Sequence, residues 1–166
     1  MTANIVLIGM PAVGKSTVGV LLAKRMGFDF LDTDILIQTR EKATLPRIIQ
    51  DRGLASFLRI EEKHLCDLAV EAHVIATGGS AVYKAAAMDH LSRNGILVYL
   101  SLGLPELKTR LSDLTGRGVA IAPGRSLEDL YRERTPLYEA AARVTVDCTG
   151  LRPDQVADAV VRNLPE

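Results

Sequence analysis

Gly9, Gly14, Lys15 and Ser16 stand in the spacing G-x-x-x-x-G-K-S, with Met10, Pro11, Ala12 and Val13 between the glycines. The pattern has a physical purpose. Two glycines let a loop curl until successive backbone N–H groups point at one spot, where phosphate oxygens accept from them. A helix starting at Lys15 would add the partial positive charge of its N-terminus. Lys15 could then reach the β- and γ-phosphates of a nucleoside triphosphate, and the Ser16 hydroxyl could coordinate Mg²⁺. At about 7% glycine usage, a chance match is expected in roughly 1% of such chains or fewer. The segment therefore predicts nucleotide binding by Gly9, Pro11, Ala12, Val13, Gly14, Lys15, Ser16 and Thr17, with ATP as the nucleotide and Mg²⁺ as its metal.

A second cluster is Asp32-Thr33-Asp34. Two carboxylates placed after an early strand suit the crevice that open α/β sheets form at the C-terminal ends of their strands. One acid would then support the metal and the other would face a phosphate acceptor. The same letters also suit a helix N-cap, where Asp and Thr are favoured. Both readings stay open on the sequence alone.

These groups need elements to hold them. Asn4 to Ile8 is a continuous apolar run ended by Gly9, the pattern of a central strand covered on both faces. Lys15 to Met26 has helical spacing and is closed by Gly27. Strands are predicted at 28–31, 73–76, 96–100 and 144–146, and helices at 35–40, 44–51 and 54–71. Pro105 and Pro153 sit where a first helical turn tolerates proline. The alternation predicts an α/β fold with a mainly parallel sheet. Only the stretch 112–125, with Gly116, Gly118, Pro123 and Gly124 around Arg117, lacks periodicity, and it reads as a lid.

Composition sets the outer limits. The 166 residues suit one domain, and 48% hydrophobic content can fill its core. Twenty Lys and Arg balance twenty Asp and Glu, so no net field draws in nucleic acid or an anionic membrane surface. No apolar stretch nears the roughly 20 residues of a membrane span, and the N-terminus opens on a strand-like run, not a charged leader. Cys66 and Cys148 form no C-x-x-C pair, and His64, His73 and His90 have no metal-ligand spacing. A cytoplasmic monomer acting on a small molecule is the expectation.

Across nearly its whole length the chain resembles the shikimate kinases. The resemblance rests on Ser16-Thr17-Val18-Gly19 in the phosphate loop, Asp32-Thr33-Asp34, Gly53 with Phe57 and Glu61, Thr77-Gly78-Gly79, Arg117, and Arg134-Thr135-Pro136-Leu137-Tyr138. It implies a three-layer P-loop kinase fold with a five-stranded parallel sheet in the order 2-3-1-4-5. The acceptor-binding helical region would span about 33–61. It also implies roles. Asp34 would orient or accept the proton of the acceptor hydroxyl, and Asp32 would join Ser16 in the metal shell. Gly78 and Gly79 would approach the acceptor through their backbone. Arg134 would hold an acceptor carboxylate through its planar donor pair. Arg117 would swing in with the lid to neutralise the transferring phosphoryl group. Arg110, Arg152 and Pro153 would lie near adenine.

The departures from the family pattern fall around the acceptor and in the lid. Leu58 stands where the family has a carboxylate-holding arginine, and Arg59 beside it is rotated by about 100° around the helix. Ser80 stands where the family has a third glycine, which adds a hydroxyl and removes backbone freedom. Leu54 follows Gly53 in place of a glutamate, and Gly118-Val119-Ala120 follows Arg117 in place of P-L-L. The phosphate loop is intact. Phosphorylation of shikimate to shikimate 3-phosphate is thus the leading reading. The alternatives are another small hydroxy acid such as homoserine, or a nucleotide-binding protein without catalysis. Retention of Lys15, Ser16, Asp32, Asp34, Arg117 and Arg134 weighs against the last.

Overall fold

The computed structural model describes residues 3–112 and 124–165. Its first strand, β1 (Asn4–Ile8), is buried at every position, and the chain then runs through the phosphate loop into α1 (Lys15–Met26). β2 (Asp29–Asp32) leads into three short helices: α2 (Thr33–Glu41), α3 (Leu45–Arg52) and α4 (Leu54–Cys66). β3 (His73–Ala76) is followed by a 3-10 turn at Ala81–Tyr83 and by α5 (Ala85–Asn94). Then come β4 (Gly95–Ser101), α6 (Leu104–Ser112), α7 (Leu127–Ala141), β5 (Val144–Asp147) and α8 (Pro153–Asn163).

The sheet is wholly parallel and ordered β2-β3-β1-β4-β5. This is a P-loop kinase fold, as the resemblance implied. β1 lies between β3 and β4, with Val6 opposite both Ile75 and Leu97. That central position explains the unbroken apolar run, because a strand covered on both faces has no polar side. Gly19 is where α1 comes down on β2. A Cβ there would meet the Phe30 ring at 2.5 Å, so only glycine lets the helix lie this close.

A second, smaller cluster sits apart from the main core. Ile37, Leu45, Ile48 and Phe57 form it, with Leu54, Leu58 and Ile60 packed against them. It joins α2, α3 and α4 into the unit expected to face the acceptor. Glu41 pins that unit, receiving Arg52 at 2.8 Å on one oxygen and lying 2.9 Å from the His64 ring on the other.

Three elements differ from expectation. The helix read as 54–71 ends at Cys66. Leu68 turns into the core, and its carbonyl accepts from His90 Nε2 at 2.7 Å instead of continuing the helical ladder. α5 was not anticipated, nor was α7 as a single helix running through Pro136. The predicted lid at 112–125 falls almost wholly outside the described residues, and so does Arg117.

Candidate active site

The phosphate loop curls where its backbone can. Gly9 and Gly14 take φ of 146° and 107°, and Ala12 joins them in the left-handed region at 65°. Lys15 is buried and donates to the carbonyls of Gly9 at 2.7 Å and Met10 at 2.8 Å. Its ammonium thus arches back over the loop that triphosphate oxygens would enter. Burial lowers its pKa to about 8, against the opposing pull of Asp34.

Asp32 does two things with two oxygens. Oδ1 caps α2, accepting from the backbone N–H of Asp34 at 2.9 Å and of Ile35 at 3.3 Å. Oδ2 accepts from the Ser16 hydroxyl at 2.5 Å. The capping reading of Asp32-Thr33-Asp34 is thus met by one oxygen of Asp32, while its other oxygen stands beside the serine of the phosphate loop. Thr33 closes the group from behind, since its hydroxyl accepts from Gly78 N at 3.1 Å and ties α2 to the segment after β3. Asp34, in the first turn of α2, points into the cavity, and burial above all, then Asp32, raises its pKa.

The cavity has a volume of about 470 Å³. The phosphate loop from Pro11 to Thr17 forms one end. Asp34, Gly78, Gly79, Ser80 and Arg134 form a wall that meets the loop where Gly79 lies against Pro11, with Leu45 and Phe57 supplying apolar surface. Arg110, Leu151, Pro153 and Val156 complete the far side of the loop. Arg110 is held there by a bond to the Val13 carbonyl at 3.0 Å and by Glu106 one turn earlier on its own helix.

A side chain at either glycine after β3 would displace groups of the site. A Cβ on Gly78 would lie 2.6 Å from Glu61 Oε1 and 2.8 Å from Asp34 Oδ1, and one on Gly79 would lie 2.9 Å from Arg134 Nη1. Ser80 is different. Its φ of −85° and ψ of −10° are ordinary for any residue, so the serine gives up no freedom that the backbone needs. The sequence reading of a conformational cost at Ser80 is corrected on this point.

The R-x-P-L-Y segment works as one helix face. Arg134 and Tyr138 lie four residues apart on α7, hence one above the other, and both are buried. Tyr138 donates to the Gly79 carbonyl at 2.6 Å and stacks on Tyr99 with centroids 5.2 Å apart. Arg134 is 2% exposed, donates through Nε to the Tyr83 hydroxyl at 3.0 Å, and sits 5.0 Å from that ring's centroid. The motif thus brings a planar cation to the glycine wall and fixes the wall at the same time.

Not every expected residue is in the cavity. Leu58 is half-buried in the α2–α4 apolar cluster and does not line the cavity; Phe57 does. Arg152 is exposed and turned onto Asp154 at 2.9 Å at the start of α8, leaving Pro153 and Val156 as that helix's contribution. Gly9 and Asp32 lie behind the lining, touching it through Lys15 and Ser16. Arg59 is exposed and bonded to Ser56, pointing away as its helical offset required.

Glu61 is the group the sequence left without a role of its own. It is fully buried (0% exposed), and its Oε2 accepts from the Ser80 hydroxyl at 2.7 Å. Burial first, with the Asp34 charge adding to it, raises its pKa from 4.5 to about 7. Between those values the folded state holds a proton that the unfolded state has released, so stability falls as pH rises through this window. Glu61→Gln lacks that loss. Relative to the parent chain it is expected to gain up to about 3 kcal/mol between pH 4.5 and 7, in urea denaturation followed across the range. A difference that stays constant with pH would contradict this reading of the carboxyl.

With this geometry in place, comparison with known proteins is decisive. The shikimate kinase family model matches residues 11–165. The chain belongs to the shikimate kinase family. It is 38% identical over 147 residues to a shikimate kinase of Thiobacillus denitrificans, covering 87% of this chain and 80% of that protein. It is 39% identical over 153 residues to one from Nitratidesulfovibrio vulgaris, covering 86% and 85%. Among solved structures it resembles the shikimate kinase of Acinetobacter baumannii in complex with shikimate, with a TM-score of 0.90 and 32% identity over 98% of this chain and 92% of that one. A gluconokinase from Sinorhizobium meliloti, 19% identical with a TM-score of 0.56, shares the fold alone. Family membership makes the chain a phosphotransferase that uses ATP and acts on a hydroxyl group. Among the described residues no helix is long and apolar enough to cross a membrane.

Proposed function

We propose that this family member transfers the γ-phosphoryl group of ATP to a ring hydroxyl of shikimate, giving shikimate 3-phosphate. The observation that carries the reading is one cavity lined by the phosphate loop, by Asp34 and by the buried Arg134. A hydroxy acid fits between them. Its carboxylate takes the paired donors of Arg134 and its hydroxyl meets Asp34, which accepts the proton as the oxygen attacks. Lys15 exchanges its loop carbonyls for β- and γ-phosphate oxygens. Arg110, Leu151, Pro153 and Val156 receive the adenine end.

Ser16 and Asp32 suit Mg²⁺, since a hydroxyl and a carboxylate oxygen are hard donors already side by side. Among the described residues no group of three His, Cys, Asp or Glu could hold a metal alone, which fits an ion shared with phosphates. When bound, the ion neutralises charge on the phosphates; the proton and the acceptor are handled by this chain's own side chains. Arg117 and the stretch 112–125 are assigned to a lid that covers the phosphates and keeps water out. The same reading has the chain working as one domain and as a cytoplasmic monomer. The thiols Cys66 and Cys148, which form no disulfide, accord with a reducing compartment.

A smaller hydroxy acid such as homoserine is the second reading, favoured because Leu58 gives the cavity no cation. ADP release with ATP and Mg²⁺, measured against shikimate, homoserine and no acceptor, separates them. Saturable turnover with shikimate alone is expected. Turnover confined to another hydroxy acid would move the specificity and leave the phosphoryl-transfer machinery as assigned.

A further inference from the structure

Glu61 carries a second oxygen that the Ser80 bond does not use. Oε1 is buried, has no hydrogen-bond partner among the described residues, and lies 2.6 Å from where a Cβ on Gly78 would sit. Asp34 Oδ1 approaches the same point to 2.8 Å. Both carboxyls therefore lie against Gly78, one of the two glycines of the acceptor wall, where the Asp34 charge acts on Glu61, and Gly78 N is anchored to Thr33 on α2. Any rotation of the Glu61 carboxyl moves an oxygen toward or away from Asp34. The other oxygen of that carboxyl accepts from the Ser80 hydroxyl, 19 residues away in sequence and itself buried.

Position 58 lies three residues before Glu61 on α4, so the two side chains share a helix face. A long cationic side chain there would reach the Glu61 carboxyl; Leu58 offers it no donor and packs into the neighbouring apolar cluster instead. Leu58 and Ser80 are two departures from the family pattern. Glu61 connects them.

We propose that Glu61 is a positioning residue for the acceptor wall and for Asp34, that Ser80 is the donor that orients it, and that Leu58 and Ser80 are a single compensated change. The serine hydroxyl supplies the hydrogen bond that an arginine at position 58 would supply. It does so from the other side of the carboxyl and without placing a charge in the cavity. Acceptor recognition is then left to Arg134, with the Ser80–Glu61 pair setting the wall against which the acceptor lies. This deepens the proposed function and, in its kinetic arm, rests on shikimate being the acceptor.

The test is a set of full-length variants: Ser80→Ala, Leu58→Arg with Ser80→Ala, and both of these in a Glu61→Gln background. Ser80→Ala is expected to raise KM for shikimate about tenfold, the scale of one lost hydrogen bond to a carboxylate, with KM for ATP unchanged. Adding Leu58→Arg is expected to return it to within about threefold of the parent chain, and Glu61→Gln is expected to abolish that rescue. An unaltered KM in Ser80→Ala, or a rescue that persists without the Glu61 carboxylate, would overturn the proposal. A Ser80→Ala chain that does not fold supports it if Leu58→Arg restores folding and counts against it otherwise.

Urea denaturation of the same variants without acceptor gives a second arm. Coupling between positions 58 and 80 is expected only when Glu61 is present, and coupling of equal size without it would contradict the proposal. A parent chain that does not turn over shikimate would overturn the functional reading alone and leave this arm to decide.

Discussion

Asp34→Asn is expected to lower kcat by about 10²–10⁴ while ATP affinity stays within about twofold. The two side chains have the same shape, so the first turn of α2 keeps its backbone and Asp32 keeps its cap. The negative charge is lost, and with it the capacity to accept a proton and the pull that Asp34 exerts on Lys15. Asp34 lines the cavity, whereas the triphosphate would be gripped by the loop from Gly9 to Ser16, so chemistry and nucleotide binding separate cleanly. Steady-state ADP release with equilibrium binding of an ATP analogue reads both quantities. A parallel loss of ATP affinity would mean that Asp34 serves the nucleotide and not the acceptor.

Arg134→Lys is expected to raise KM for the acceptor about 10- to 100-fold with KM for ATP unchanged, corresponding to about 1.5–3 kcal/mol for a charge-assisted bond. The substitution keeps the charge and loses the fork. An ammonium cannot give a carboxylate two parallel N–H donors, nor can it reproduce the Nε bond to Tyr83 while facing the cavity. Thermal melting of the variant guards against a structural explanation, because the side chain is buried against Tyr83 and close to Gly79. An unchanged acceptor KM in a folded variant would remove Arg134 from recognition.

The phosphate loop was legible in the sequence because everything it needs is local: a buried strand, two glycines, a lysine and a helix within 12 residues of Asn4. The R-x-P-L-Y face was legible for the same reason, since an i, i+4 pair meets on any helix. Sheet order was not. Apolar runs reveal strands, but nothing in Asn4 to Ile8 states that its neighbours are β3 and β4; that came through the family resemblance. Asp32 shows a different limit. Cap and metal-site readings competed because a letter does not say which atoms a carboxylate engages: one oxygen caps α2, and the other accepts from Ser16 and is the atom proposed to face Mg²⁺.

The remaining misses have tertiary causes. α4 ends at Cys66 because Leu68 is drawn into the core and capped by His90, a contact 22 residues distant. α7 continues through Pro136 although proline removes a helical donor, held by the packing of Leu130, Arg134 and Tyr138 along one face. Glu61 read as one letter of a family pattern, and its partnership with Ser80 exists only once α4 and the segment after β3 are side by side. Leu58 was expected at the acceptor and is instead part of the apolar cluster that supports it.

Transfer from ATP to the shikimate hydroxyl is observed directly by ³¹P NMR of the parent chain with ATP, Mg²⁺ and shikimate. The prediction is a new phosphate-monoester resonance on shikimate that grows in step with loss of the γ-phosphoryl signal. Loss of that signal to inorganic phosphate alone, or an unchanged ATP spectrum, would contradict it.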